Sequence, residues 1–267
     1  MIIIGELINC TRKKVGAAAE KKDADFIKDV ALRQVAAGAH ILDVNGGLAG
    51  REAECLAWLV GIVQEATELP LSLDSSDPEA LRAALPLCQR RPLINSITDE
   101  PARLQAVLPL VREYRTQVVA LCMGESGTPT GVDDRVETAC RLVDHLTAEG
   151  VALEDIYVDP CVLPISTGPE CGPSVLEAVG RIAGRYPGVH ISAGLSNVSY
   201  GLPVRKLVNE VFLMLLMARG LDAAIVDPCD RQLMASVAAA EALLGRDEYC
   251  VDYLRAYRQG KLEIPTA

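Results

Sequence analysis

Eight short aliphatic runs, each followed by a helical period, fill this chain without a linker or low-complexity break between them. The first run is Ile2-Ile3-Ile4, continuing through Gly5-Glu6-Leu7-Ile8-Asn9. The others fall at 39–45, 71–75, 92–96, 117–122, 156–159, 189–193 and 223–227. Continuous rather than alternating apolar runs suit strands buried on both faces. Helices are predicted from about 24–37, 52–67, 101–113, 134–149, 173–186, 204–219 and 231–244, with a further one opening at Pro78 behind a cap at Ser76 or Asp77. A short amphipathic segment at 249–257 closes the pattern. Strands alternating with helices imply a parallel sheet covered by helices. Eight such units in 267 residues have the size of a (β/α)8 barrel. The alternative, an open doubly wound sheet, lacks support because no G-x-G-x-x-G follows the first run. The expectation is an α/β chain, a (β/α)8 TIM barrel, with residues 1–267 as one domain.

The composition narrows the function. Half the residues are hydrophobic and only 4% aromatic, which fits helices packed on aliphatic strands. A net charge of −10 argues against neutralising nucleic-acid phosphates and, mildly, against an anionic membrane surface. The longest apolar candidate for a membrane span, Val211–Ala218, is short and followed by Arg219. Met1-Ile2-Ile3-Ile4 has no basic flank and reads as a strand rather than a signal peptide. A cytoplasmic protein is expected. Nine scattered cysteines without a C-x-x-C argue against a disulfide framework or a zinc ribbon, and the three histidines are far apart in sequence. Most of the cysteines read as small buried hydrophobes, and no protein-bound metal is expected.

In such a barrel the chemistry sits at the carboxyl ends of the strands. Those ends carry Glu6 and Asn9, Asp43 and Asn45, Asp74, Asn95, Asp159, Ser196 and Asn197, and Asp227. Helix capping accounts for Asp74 through Asp77, or for Ser196, Asn197 or Asp227, taken singly. It accounts poorly for Asp43, Asp74 and Asp159, each placed directly behind aliphatic residues. Buried carboxylates need donors, so these groups should face one pocket. A ring of Asp and Asn suits a flat heterocycle that offers N–H and amino donors beside a carbonyl acceptor. A metal site would also use carboxylates, but the amides, the absence of clustered histidine and the absence of D-x-D weigh against it.

Six segments together resemble a known family: Ile-Gly-Glu-Leu-Ile-Asn (4–9), Leu-Asp-Val-Asn (42–45), Leu-Asp-Ser-Ser (73–76), Ile-Asn-Ser (94–96), Val-Asp-Pro (158–160) and Gly-Leu-Ser-Asn-Val-Ser (194–199). Their order is that of the pterin-binding barrels. The chain looks most like the methyltetrahydrofolate:corrinoid-protein methyltransferases of anaerobic microbes, relatives of the folate domain of cobalamin-dependent methionine synthase. The resemblance implies methyl transfer, in either direction, between N5 of tetrahydrofolate and the cobalt of a corrinoid (cobalamin) carried by a partner protein. It implies that Asp74, Asn95 and Asp159 hold the pterin, with Gly194 and Ser196 beside it. Asn197 would reach N5, and Arg205 would support the site or the folate tail. Glu6, Asn9, Asp43 and Asn45 match the first two strand-end motifs and are expected to make supporting hydrogen bonds. The family is usually homodimeric. Two stretches depart from its pattern: the loop with Tyr200, Gly201 and Pro203, and the basic run from Asn9 to Lys14. The latter reads as a solvated loop, or as a contact for a glutamate tail or a partner. The competing readings are a dihydropteroate synthase-like pterin enzyme and a non-catalytic pterin-binding subunit. The first should carry a Ser-x-Arg-x-His ending, which Val226-Asp227-Pro228-Cys229-Asp230 and the residues after it lack.

Overall fold

The aliphatic runs form eight parallel strands: β1 (Ile2–Asn9), β2 (Ile41–Asn45), β3 (Leu71–Asp74), β4 (Leu93–Ile97), β5 (Gln117–Leu121), β6 (Ile156–Asp159), β7 (His190–Ile191) and β8 (Ala223–Val226). The computed structural model describes residues 1–125 and 127–262. The hydrogen-bonded order is β7-β6-β5-β4-β3-β2-β1-β8, so each strand lies beside its sequence neighbour and β1 pairs with both β2 and β8. Between β7 and β8 the ladder is reduced to a parallel bridge of Gly194 with Ile225, with Ile225 N–H donating to Ala193 O at 3.0 Å and Asp222 N–H to Ile191 O at 3.2 Å. The result is a nearly closed (β/α)8 barrel. At this seam β7 is two residues long instead of the expected five, because beyond Ile191 the chain bends toward the turn at Gly194.

Helices cover the outside: α1 (Lys13–Glu20), α2 (Ala24–Ala37), α3 (Glu52–Ala66), α4 (Pro78–Ala84), α5 (Pro101–Tyr114), α6 (Val132–Ala148), α7 (Cys171–Arg185), α8 (Arg205–Arg219), α9 (Arg231–Leu243) and α10 (Val251–Arg258). Local chemistry sets several ends. Asp77 accepts from Glu79 N–H at 2.9 Å ahead of Pro78, and Asp23 accepts from Phe26 N–H at 3.1 Å. Gly38 and Gly220 end α2 and α8 at φ of 103° and 116°, a conformation that favours glycine. The basic run from Asn9 to Lys14 is only partly a loop, since Lys13 and Lys14 open α1. Among the described residues no helix is long and apolar enough to cross a membrane.

The barrel interior explains the site. Ile4, Ile41, Leu93, Val119, Tyr157 and Ala223, one from each of six strands, pack together as a separate apolar layer. Side chains two residues apart on a strand share a face. The residues two positions further on are Glu6, Asp43, Asn95, Leu121, Asp159 and Ile225. The apolar layer is therefore the floor of the chamber those six line. One residue breaks the parity. Between Gly5 and Ile8 the β1 register against β2 slips by one residue, the signature of a bulge. Ile8 then turns outward into the helix-packed core, and Asn9 faces the chamber.

Candidate active site

A cavity of about 590 Å3 opens at the carboxyl ends of the strands. Ten of the eleven expected side chains line it: Glu6, Asn9, Asp43, Asp74, Asn95, Asp159, Gly194, Ser196, Asn197 and Arg205. The eleventh, Asn45, sits behind Asp74 and donates to its Oδ2 at 2.9 Å, while its own Oδ1 accepts from Gly47 N–H. Asn45 thereby couples the end of β2 to that of β3.

The carboxylates are held differently. Asp43 is buried and its Oδ1 accepts from Ser72 Oγ at 2.6 Å and from Asn95 Nδ2 at 3.2 Å. Burial pushes its pKa well up, and the neighbouring Asp74 pushes it further. Burial also raises Asp74, against the donation from Asn45. Asp159 accepts two backbone N–H groups, Cys161 on Oδ1 at 2.8 Å and Gly194 on Oδ2 at 3.2 Å. Those bonds only partly offset burial, and its pKa is raised to about 6. Glu6 is likewise raised by burial, in spite of Arg12 at 2.7 Å and the Ser196 hydroxyl. Burial thus disfavours the ionised form of all four acids, and a ligand that brings further donors would favour it.

On the opposite wall the turn after β7 is braced from several sides. Ser196 Oγ donates to Glu6, and Arg205 at the start of α8 donates to Ser196 O and, at 3.0 Å, to Ser199 Oγ. Asn197, between these anchored serines, is exposed, and its side chain has no hydrogen-bond partner among the described residues. A Cβ on Gly194 would lie 3.4 Å from Asn197 Nδ2, so the glycine gives that amide its room. Asn9 turns its Oδ1 to Thr11, accepting from its N–H at 2.9 Å and from its hydroxyl at 2.6 Å.

Several groups escaped the sequence reading in whole or in part. Arg12, noted only within the basic run from Asn9 to Lys14, lines the cavity as the partner of Glu6. Lys206 and Asn209 line it from the first turns of α8, with Lys206 paired to Asp230 at 3.0 Å. Asp227, seen as a strand end but given no role, also lines it, accepting from Cys229 N–H at 2.9 Å. Asn209 lies four residues beyond Arg205, so the helical period carried a signal for it, whereas Lys206, the next residue, is off that face and had none. Arg103 of α5 had none. Its guanidinium donates to the carbonyls of Ser75, Ser76 and Ser96, tying the ends of β3 and β4 together from outside.

The lining holds six carboxylates and three basic side chains. That balance disfavours a phosphate and favours a ligand rich in N–H donors. Among the described residues no group of three or more His, Cys, Asp or Glu side chains is arranged to hold a metal ion.

Comparison with known proteins gives a consistent picture. A family model described as pterin binding enzyme matches residues 5–227. A methylcorrinoid:tetrahydrofolate methyltransferase of Eubacterium limosum is 41% identical over 265 residues, 98% of each chain. The methionine synthase of Mycobacterium leprae is 34% identical over 240 residues, which are 85% of this chain and 20% of that one. Among solved structures, the 7,8-dihydropteroate synthase of Vibrio fischeri superposes with a TM-score of 0.72, covering 92% of this chain and 93% of its own, at 17% identity. At that identity the likeness shows the fold alone.

Proposed function

The chain belongs to the pterin-binding enzymes, and from that membership we propose that it is a methyltransferase acting between N5 of tetrahydrofolate and the cobalt of a corrinoid held by a partner protein. The reading is supported by the identity to the Eubacterium limosum enzyme along nearly the whole of both chains.

Asp74, Asn95 and Asp159 take the pterin ring. Asp159, with two backbone donors behind it, accepts from ring N–H and amino groups, and Asn95, held by Asp43, meets the mixed donor and acceptor edge. Gly194 and Ser196 lie beside the ring, and Arg205 steadies the turn that carries them. Glu6, Asn9, Asp43 and Asn45 orient this set. The observation that carries the catalytic reading is Asn197, an amide without a protein partner among the described residues, on a braced turn at the cavity wall. A methyl group leaves N5 with difficulty, because an amine anion is a poor leaving group. Asn197 supplies a hydrogen bond to N5 that strengthens as charge develops there, which is electrostatic stabilisation rather than acid catalysis. The corrinoid cobalt accepts the methyl group in one direction and donates it in the other. The cavity mouth is open to solvent at Asn197 and Arg205, which leaves room for a corrinoid protein to dock over it.

The enzyme works as a cytoplasmic homodimer in anaerobic one-carbon metabolism. Support for self-association comes from α8, where Leu207, Val211 and Leu215 repeat every four residues and are all exposed.

Anaerobic absorption spectroscopy of cob(I)alamin with methyltetrahydrofolate tests the reaction. Loss of the cob(I)alamin band that depends on this protein is the expected result. No binding of folate at all would overturn the reading.

A further inference from the structure

Two thiols that the methyl-transfer reading does not use lie in the helix-packed core behind the end of β1. Cys10 and Cys55 are 45 residues apart in sequence, yet their sulfurs are 3.6 Å apart. Both residues are buried, at 6% and 3% exposure. Packing accounts for each of them singly; the contact between the two sulfurs is the feature that gives the pair a chemistry of its own.

The pair is tied to the site on both sides. Cys10 follows Asn9, and its N–H donates to Asn45 O at 3.0 Å. Asn45 in turn holds Asp74. Cys55 lies in the first turn of α3, where Glu52 accepts from the hydroxyl of Ser75, the residue after Asp74. The electrostatics divide the two thiols. The contact with Cys10, followed by the charges of Lys22 and Arg51, lowers Cys55, whereas Cys10 is raised. Burial opposes the lowering at Cys55, and the contact between the sulfurs is what lets one thiol ionise while the other donates to it.

We propose that Cys10 and Cys55 form a reversible thiol–disulfide site whose oxidation distorts the β1 edge of the cavity. With a peroxide as oxidant, Cys55 thiolate attacks one peroxide oxygen, the O–O bond breaks, and hydroxide leaves. Cys10 gives its proton to that hydroxide, making water. Its sulfur then attacks the Cys55 sulfenic acid, the S–S bond forms, the S–O bond breaks, and the departing hydroxide takes up a proton as a second water. Two thiols and one peroxide become one disulfide and two waters.

Closure brings the sulfurs from 3.6 Å to about 2.05 Å. The surroundings cannot absorb this easily. A Cβ on Gly16 of α1 would lie 2.5 Å from Cys10 O, and one on Gly46 would lie 2.6 Å from Leu56 N. Backbone is therefore packed tightly beside both cysteines, and the displacement falls on Asn9, Asn45 and the residues they hold.

The test begins with the purified reduced protein, titrated with tetrahydrofolate to establish binding. A failure there overturns the functional reading above and leaves the cross-link to be judged by mapping alone. The protein is then treated anaerobically with limiting hydrogen peroxide, desalted, and digested without reductant for mass spectrometry. The expected result is a peptide pair joined through Cys10 and Cys55, with tetrahydrofolate affinity lowered about tenfold, on the scale of one lost hydrogen bond to a charged group. Dithiothreitol restores both. Cys55→Ser abolishes the link and the loss of affinity together. If Cys10 and Cys55 stay free while the exposed Cys250 oxidises, the site does not exist. If the link forms and affinity is unchanged, its coupling to the cavity is refuted.

Discussion

Ser196 Oγ donates to both carboxylate oxygens of Glu6, at 3.1 and 3.2 Å, across 190 residues of chain. The bond spans the weakest part of the barrel. Glu6 stands on β1, Ser196 follows β7, and β8 between them pairs fully with β1 but only at one bridge with the β7 side. Arg12 donates to the same carboxylate and Arg205 grips the far side of the turn. The seam is thus closed by side chains where the ladder is incomplete, and Asn197 sits in the braced turn.

Removing that brace separates positioning from binding. Ser196→Ala deletes a hydrogen bond to a charged group, worth about 1.5–3 kcal/mol. The expected loss in methyl-transfer rate is about tenfold or more, at the 1.4 kcal/mol per decade of a rate or equilibrium constant. Folate affinity, which the proposed reading assigns mainly to Asp74, Asn95 and Asp159, should fall less. Glu6→Gln should fall between wild type and Ser196→Ala, since an amide oxygen still accepts from the serine hydroxyl. Single-turnover rates and calorimetric Kd values distinguish these outcomes. Equal losses in both quantities would place Ser196 in binding alone.

Asn197→Ala should cut methyl transfer by about 10²–10³ with little change in folate affinity, the range for one transition-state hydrogen-bond donor. Gly194→Ala is a subtler probe of the same amide. The backbone at Gly194, with φ −74°, suits any residue. The added Cβ would meet Asn197 Nδ2 at 3.4 Å. A folded variant with reduced kcat is expected. Unchanged kcat in both variants would remove Asn197 from the reaction.

Asp159 links binding to pH. Its pKa is raised to about 6 in the free protein, and a pterin donating N–H groups prefers the ionised form. Affinity should therefore be constant well above pH 6 and weaken as pH falls through that value, by up to tenfold per unit. Binding near pH 6 should release a proton, seen as a dependence of calorimetric enthalpy on the buffer's ionisation heat. Asp159→Asn should bind folate at least tenfold more weakly at neutral pH, on the scale of hydrogen bonds to charged groups, and lose much of this pH dependence.

The ring of acids and amides was legible in the sequence because strand parity is local. Where Ile41, Leu93 and Tyr157 face the barrel interior, Asp43, Asn95 and Asp159 must follow two residues later. Helix α2 was legible for a similar reason, with Gly38 stopping it in the left-handed conformation. What escaped depends on contacts remote in sequence or on breaks in the period. Asn9 was expected from its motif, but parity alone would turn it away, and it faces the chamber because β1 bulges. Arg103 acts from a neighbouring helix on three carbonyls that no pattern marks. The shortness of β7 follows from closing the barrel against β8, a long-range condition absent from the aliphatic run itself.

A chamber of buried acids also makes an unusual demand on stability. Burial raises Glu6, Asp43, Asp74 and Asp159 together. The folded state therefore favours their protonated forms. The stability this contributes is complete below the unfolded carboxylate range and is lost as pH rises through the folded values. For Asp159, raised from 3.8 to about 6, the loss between pH 5 and pH 8 is about 1.4 kcal/mol. That corresponds to several degrees in Tm for a chain of this size, at about 2–4 °C per kcal/mol. His40 opposes the trend, since burial lowers its pKa from 6.5 and protonation costs the folded state as pH falls. Glu54, lowered to about 2 by Arg51 and Lys22, and Asp247, lowered by the backbone N–H groups of Asp252 and Tyr253, withdraw stability only in stronger acid. Four carboxylates against one histidine leave the net slope set by the cavity. Ligand-free protein should thus melt at a higher temperature near pH 5 than near pH 8. Saturating folate, which in the proposed site pairs with the ionised acids, should raise Tm most at the alkaline end and flatten the profile. Differential scanning calorimetry across this range, with and without folate, checks both statements. A ligand-free Tm that climbs with pH would show that the buried acids do not carry the strain that folate relieves.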